Sequence, residues 1–223
     1  MNNKYFISLG PDCHIAGALN FMKLRKQSLP FDFLLSHSTK GLKYVYKLID
    51  NKFTDFLNDL EYNNKNRVIS KNYPDTQFYH HDLIKNKQKL VKSLKIDHIN
   101  MEEFLIEKFK RRGRRFINII ENDKNKCMFF YIISFNDIDN DIRFKEITTN
   151  INNFVNVLNN KGNCKYILII FIKTNKKELV KINDKITFIN NKYDEVKLEP
   201  FFGKNINEDN VFNITNCINK YNL

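Results

Sequence analysis

Apolar positions recur along the chain with two periods, and these predict alternating strands and helices. Tyr5, Phe6, Ile7 and Leu9 mark a short strand over Lys4–Leu9, which Gly10-Pro11-Asp12 ends. Ile15, Ala16, Ala18, Leu19, Met22 and Leu24 then return at helical spacing. Proline is favoured in the first turn of a helix, and aspartate suits the positive end of its dipole. The chain therefore opens strand, tight turn, helix. Ser28-Leu29-Pro30-Phe31-Asp32-Phe33 is a loop rich in aromatics. Gly41–Ile49 and Asn51–Tyr62 are predicted as two short helices, with a polar turn over 63–66. Arg67–Ser70 and Thr76–Tyr79 are predicted as short strands, the second running into His80-His81-Asp82.

Met101–Glu121 is the longest predicted helix, with Phe104, Leu105, Phe109, Phe116, Ile119 and Ile120 along one face. Cys127–Ile133 is an apolar strand. Ile142–Leu158 is an amphipathic helix whose stripe is Phe144, Ile147, Ile151, Phe154, Val155 and Leu158. Lys165–Ile172 is a strand apolar on both faces, Ile186–Ile189 a shorter third, and Asp209–Tyr221 a closing helix with Val211, Ile214, Ile218 and Tyr221 inward. Continuous apolar strands linked by helices imply a sheet covered on both sides. The expected fold is α/β, with a mostly parallel central sheet and helices on both faces. The polar loops at 134–141 and 174–184 do not resemble interdomain linkers, and no repeat interrupts the pattern. A single domain is expected over residues 1–223.

Composition narrows the class. At 223 residues the chain can bury a sizeable core. It holds no apolar run of about 18 residues, so no membrane span is expected. Its first residues lack the apolar core of a secretory signal. The expected location is the cytoplasm, or the host cytoplasm for a viral source. The formal net charge of +12 points to nucleic acid, an acidic partner or an anionic surface. Lys, Asn and Ile, which adenine- and thymine-rich codons specify, crowd the chain. Genome composition could therefore supply much of the charge, and nucleic acid is the less favoured partner. Only six glycines occur, and neither a phosphate loop nor a GxGxxG turn can be built from them.

The four cysteines, Cys13, Cys127, Cys164 and Cys217, form no close pair in sequence. A disulfide framework and a cysteine zinc site are both disfavoured. Cys127, Cys164 and Cys217 fall on apolar elements and are expected to be small buried hydrophobes. Cys13 differs. It falls in the first turn of a helix that leaves a strand end, where open N–H groups and the helix dipole favour thiolate over thiol. The N–H groups of Cys13 and His14 could also hold an oxyanion. Spacing alone, however, fits packing better than catalysis.

Ser8-Leu9-Gly10, Cys13, Ala16, Leu19, Leu24-Arg25, Ser28, Pro30-Phe31-Asp32 and Ser36 form a specific pattern. It resembles the N-terminal signature of a family described as putative papain-like cysteine peptidases, a domain of unknown function found in bacteria and large DNA viruses. Phe33 stands where that family's loop has tryptophan. The likeness is specific over residues 6–36. It is looser through Phe78–Asp82, Arg111–Phe116 and Met128–Ser134, and fades beyond about residue 175.

The resemblance implies a papain-like mounting of Cys13 as nucleophile. Such chemistry needs a histidine base and an Asn or Asp to orient it. Of the five histidines, His14 neighbours Cys13, but adjacent helical residues point about 100° apart. His37 lies in a Ser-His-Ser loop, and His98 precedes the long helix. The family pattern has a His-Asp pair that matches His81-Asp82, which makes His81 the favoured base over His80. Asp82, Asp32 or Asn136 in Asn136-Asp137 could orient it, although Asp32 suits a loop-capping role better. The basic run Lys108, Lys110, Arg111, Arg112, Arg114 and Arg115 reads first as a solvated helix face. Its arginines, Arg111, Arg112, Arg114 and Arg115, are the candidate anion contacts.

Three functions follow: a thiol hydrolase acting on a peptide, isopeptide or acyl bond, a non-catalytic module binding an acidic or phosphorylated partner through the basic helix, or a transferase using the same thiol. No metal or organic cofactor is implied. The substrate is a protein or acyl compound.

Overall fold

The structure is a computed structural model that describes residues 3–32, 34–54, 60–63, 67–82, 101–134, 136, 140–173, 196–201 and 208–221. Its strands are β1 (Asn3–Ser8), β2 (Leu34–Leu35), β3 (Leu60–Tyr62), β4 (Arg67–Ser70), β5 (Gln77–Asp82), β6 (Asn125–Ser134), β7 (Lys165–Lys173) and β8 (Val196–Phe201). Its helices are α1 (His14–Phe21), α2 (Gly41–Asp50), α3 (Met101–Ile120), α4 (Asp141–Lys161) and α5 (Glu208–Tyr221).

The apolar runs of the second half form the middle of a parallel sheet ordered β1-β6-β7-β8. Alternate residues of β6 leave on opposite sides, as strand geometry dictates. Cys127, Phe129, Tyr131 and Ile133 enter one core cluster together with residues of α2, α3 and α4. Met128, Phe130 and Ile132 enter a second with Ile15, Ala18 and Leu19 of α1 and Ile214 and Cys217 of α5. Helices thus cover both faces of this sheet, which is why β6 and β7 read as unbroken apolar runs.

The first half departs from the expected single sheet. β2, β5, β4 and β3 form a separate antiparallel sheet in that order. Leu34, Val68 and Phe78 from it join the first core cluster. The helix predicted over Asn51–Tyr62 is absent from both described ends of that segment, 51–54 and 60–62. α2 stops at Asp50, and Lys52 and Phe53 adopt φ of 51° and 63°. That left-handed turn ends a helix. It also places the Phe53 ring 5.7 Å from Phe31 and 6.0 Å from Phe116. Leu60–Tyr62 pairs instead with β4, Leu60 opposite Ser70. Packing of one aromatic ring overrides the local period. The predicted strand Ile186–Ile189 and the loop 174–184 lie outside the described residues. Among the described residues no helix is long and apolar enough to cross a membrane.

The two halves are fastened at Tyr131. Its hydroxyl donates to the Ser38 carbonyl at 2.7 Å and accepts the Leu42 N–H at 3.2 Å. Gly41 permits this approach, because a Cβ there would collide with Ser36 Oγ and crowd the Tyr131 hydroxyl. Asn150 of α4 adds a bond to the Thr39 carbonyl at 2.8 Å.

Candidate functional site

Cys13 owes its position to the turn that follows β1. The strand's pairing extends one bond past Ser8, the Leu9 N–H donating to Phe130 O at 2.9 Å. Gly10 then takes φ +88°, a conformation that glycine adopts without strain. Leu34 lies against Gly10, and the Ser36 N–H donates to Pro11 O at 2.8 Å. The antiparallel sheet is thereby tied to the same turn through both flanks of β2. Cys13 is the N-cap of α1, and its carbonyl accepts the Gly17 N–H at 2.9 Å. The partly exposed thiol-bearing residue stands beyond the C-terminal end of a parallel strand, the edge at which open α/β sheets bind ligands.

The helix start is not open in the way the sequence suggested. The Asp12 carboxylate accepts the His14 N–H on Oδ1 at 3.0 Å and meets His14 Nδ1 with Oδ2 at 2.9 Å. An oxyanion could use the His14 N–H only after Asp12 released it. The same carboxylate selects the Nδ1–H tautomer of His14 and leaves Nε2 as the acceptor. His37 is engaged within its own loop, Nδ1 lying 2.9 Å from Thr39 Oγ1.

Pro30-Phe31-Asp32 builds the support behind this turn. The Phe31 ring packs edge-on against Phe116 at 5.4 Å. Asp32 is only 2% exposed. Its Oδ2 accepts the Leu29 N–H at 2.9 Å and Arg25 Nη1 at 3.1 Å, the loop-capping role expected for it. Arg25 also donates to Asn20 Oδ1 at 3.2 Å, which binds the loop to α1. Burial pushes the Asp32 carboxyl above the usual aspartate value, opposed by the Leu29 N–H and the charges of Arg25 and Arg112.

Arg112 corrects the picture of a uniformly solvated basic face. It is 8% exposed and lies over the Phe109 ring at 5.7 Å. Burial pulls its pKa down while Asp32 holds it up. Lys108, one turn earlier, is pulled down to about 8 by burial and by the neighbouring charges of Arg112 and Arg111. Arg111, Arg114 and Arg115 are exposed. The sequence carried a signal for Arg112: Leu105, Phe109, Phe116 and Ile119 recur at four- and three-residue steps, and position 112 completes that stripe.

His81 and Asp82 lie at the C-terminal end of β5, and their side chains, like that of His80, fall outside the described residues. The backbone places His81 three residues beyond Phe78, which pairs with Leu34 beside Gly10. Val68 pairs with Phe78 while Arg67 pairs with Asp82, so Tyr79, His80 and His81 bulge from the ladder. Strict alternation of faces therefore does not hold across the two histidines. Asn136 is exposed just beyond β6, at the same sheet edge as Cys13. His98 and Asp137 lie outside the described residues. Sequence reading missed the Asp12–His14 pair, for which an Asp-x-His spacing at a helix start was the available signal. Among the described residues no group of three or more His, Cys, Asp or Glu side chains is arranged to hold a metal ion.

No curated relative and no solved structure matches the chain. A family model does, over residues 4–176, and its span takes in the Cys13 turn, the Pro-Phe-Asp loop, the antiparallel sheet and β6. The chain belongs to the family described as putative papain-like cysteine peptidase (DUF1796).

Proposed function

We propose that the chain is a single-domain, cytoplasmic thiol hydrolase in which Cys13 attacks the carbonyl of a peptide, isopeptide or other acyl bond. The observation that carries this reading is the mounting of Cys13: a partly exposed thiol at the N-cap of α1, at the C-terminal edge of the parallel sheet. His81 takes the thiol proton as the sulfur bonds to the carbonyl carbon, then returns it to the departing amine or alcohol. Water hydrolyses the resulting thioester with His81 again as base. Asp82 or Asn136 orients the imidazole. The tetrahedral oxyanion is met by the N–H groups of Cys13 and His14, the latter once Asp12 swings away. No cofactor is required. The Asp12–His14 contact supports a second candidate for the base, because a carboxylate on Nδ1 leaves Nε2 ready to accept a proton. The experiment is reaction of the native protein with an electrophilic acyl probe, followed by peptide mapping. The label is expected on Cys13 ahead of Cys127, Cys164 and Cys217. Equal labelling of all four, or none at Cys13, overturns the proposal.

One observation favours a second role, binding of an acidic or phosphorylated partner: Arg111, Arg114 and Arg115 stand exposed on consecutive turns of α3. Reversing these three to Glu should abolish most salt-sensitive retention on heparin, since counterion release scales with the number of anionic groups the protein neutralises. Arg112 is left out because it is buried and its charge is held up by that of Asp32. Unchanged retention after the reversal would assign the binding to generic positive charge.

A further inference from the structure

Two thiols far apart in sequence meet where β7 begins. Cys127 pairs in register with Tyr166. Cys164 precedes Tyr166 by two residues, and Cys164 and Tyr166 are buried around an exposed Lys165. Two-residue alternation therefore turns Cys164 to the face that Cys127 occupies. Both belong to one core cluster, and their thiols are hydrogen-bonded to each other. Cys127 is sealed at 0% exposure, whereas Cys164 reaches the surface at 9%. The N–H groups of Asn163 and Cys164 both donate to Ile120 O, at 2.7 and 2.9 Å, and pin this bend to the end of α3.

We propose that Cys127 and Cys164 are a redox modification site, a dithiol that a peroxide converts to a reversible disulfide stapling β6 to the start of β7. The two cysteines take different parts. The hydrogen bond to Cys164, with burial, raises the pKa of Cys127, and accepting that bond lowers the pKa of Cys164. The more exposed of the two cysteines is thus the readier to ionise and the sealed one the more reluctant. Cys164 gives its proton to solvent and attacks one peroxide oxygen: an S–O bond forms, the O–O bond breaks, and the departing hydroxide takes up the released proton as water. Cys127 then attacks the sulfenic sulfur. An S–S bond forms, the S–O bond breaks, and the Cys127 proton leaves with the hydroxyl as water. Two thiols lose two electrons, and one hydrogen peroxide becomes two waters. Cys164 sits in the bend ahead of β7, outside the β6–β7 pairs, so its movement toward Cys127 would break no pair of the ladder. The pair lies at the N-terminal edge of the sheet, away from Cys13, and does not depend on the function proposed for that residue.

The test treats the full chain with hydrogen peroxide, alkylates with iodoacetamide and digests without reductant. The expected product is a peptide linking Cys127 to Cys164, lighter by two hydrogens than its parts and separated by dithiothreitol. The staple closes the loop that holds α4, so Tm should rise on the order of 10 °C. Cys164→Ser and Cys127→Ala should each lose the linkage and the rise, while Cys13→Ser keeps both. The proposal is overturned if Cys164 stops at sulfinic acid with Cys127 still alkylatable after unfolding, if both thiols survive peroxide, or if the linkage runs to Cys13.

Discussion

Cys13→Ala is expected to reduce hydrolysis of an activated ester or peptide substrate by at least about 10³-fold while leaving the fold intact, because the nucleophile is gone. The partly exposed N-cap position makes a structural loss small. His81→Ala should fall to a similar level, since a thiol whose proton has no acceptor is nearly as inert as no thiol. The double variant should be no worse than either single one, as residues that act as a unit do not add. Kinetics of the three variants, alongside His80→Ala and His14→Ala, decide the assignment. A loss in His14→Ala with activity retained in His81→Ala would make Asp12–His14 the base pair. Full activity in every histidine variant would leave the α1 dipole alone to govern the Cys13 thiol, whereas no Cys13-dependent hydrolysis by the unsubstituted chain would remove the hydrolase reading and favour the arginine face of α3.

The largest expected effect on stability belongs to Asp32. Asp32→Ala removes the carboxylate that faces Arg25 and Arg112 and also holds the Leu29 N–H. Removing one partner of a buried ionic group costs about 3–5 kcal/mol. Urea unfolding should show the midpoint falling with little change in slope. Asp32→Asn keeps an acceptor for Leu29 and should cost less. The acid limb carries a second signature. Burial raises the folded-state pKa of Asp32 above its unfolded value, so protonation favours the native state. That contribution is full below the unfolded value and is lost as pH rises through the folded one. Asp32→Asn should lack this slope. A cost of Asp32→Ala below about 1 kcal/mol would mean that the Pro-Phe-Asp loop stands without its charge cluster.

The parts of the fold that were legible in sequence are those where local period and tertiary burial agree. β6 and β7 are apolar on both faces because helices cover both, and α4 shows its stripe plainly. The antiparallel sheet was not legible as a unit. Its strands run from two to six residues, too short for a period to declare which neighbour each will pair with. Residues 51–62 carry apolar positions that fit a helix, yet the left-handed turn at Lys52 and Phe53 serves the Phe31–Phe116 cluster instead. At the site, the turn, the thiol and the loop-capping Asp32 could be read from residue type and spacing. The Asp12 carboxylate on the His14 N–H could not, because it depends on a side-chain rotamer. Nor could the meeting of Cys127 and Cys164, which depends on strand register.

The central claim is that the mounting of Cys13 makes its thiol a nucleophile, and the rate of its alkylation by iodoacetamide tests this most directly. The measurement follows Cys13 by peptide mapping at neutral pH, in the native protein and in the same protein unfolded in urea. Native Cys13 is predicted to react at least about ten times faster than unfolded Cys13, because thiolate and not thiol is the reacting form. His81→Ala should bring the native rate down toward the unfolded one. A native rate equal to or below that of the unfolded chain would contradict the claim.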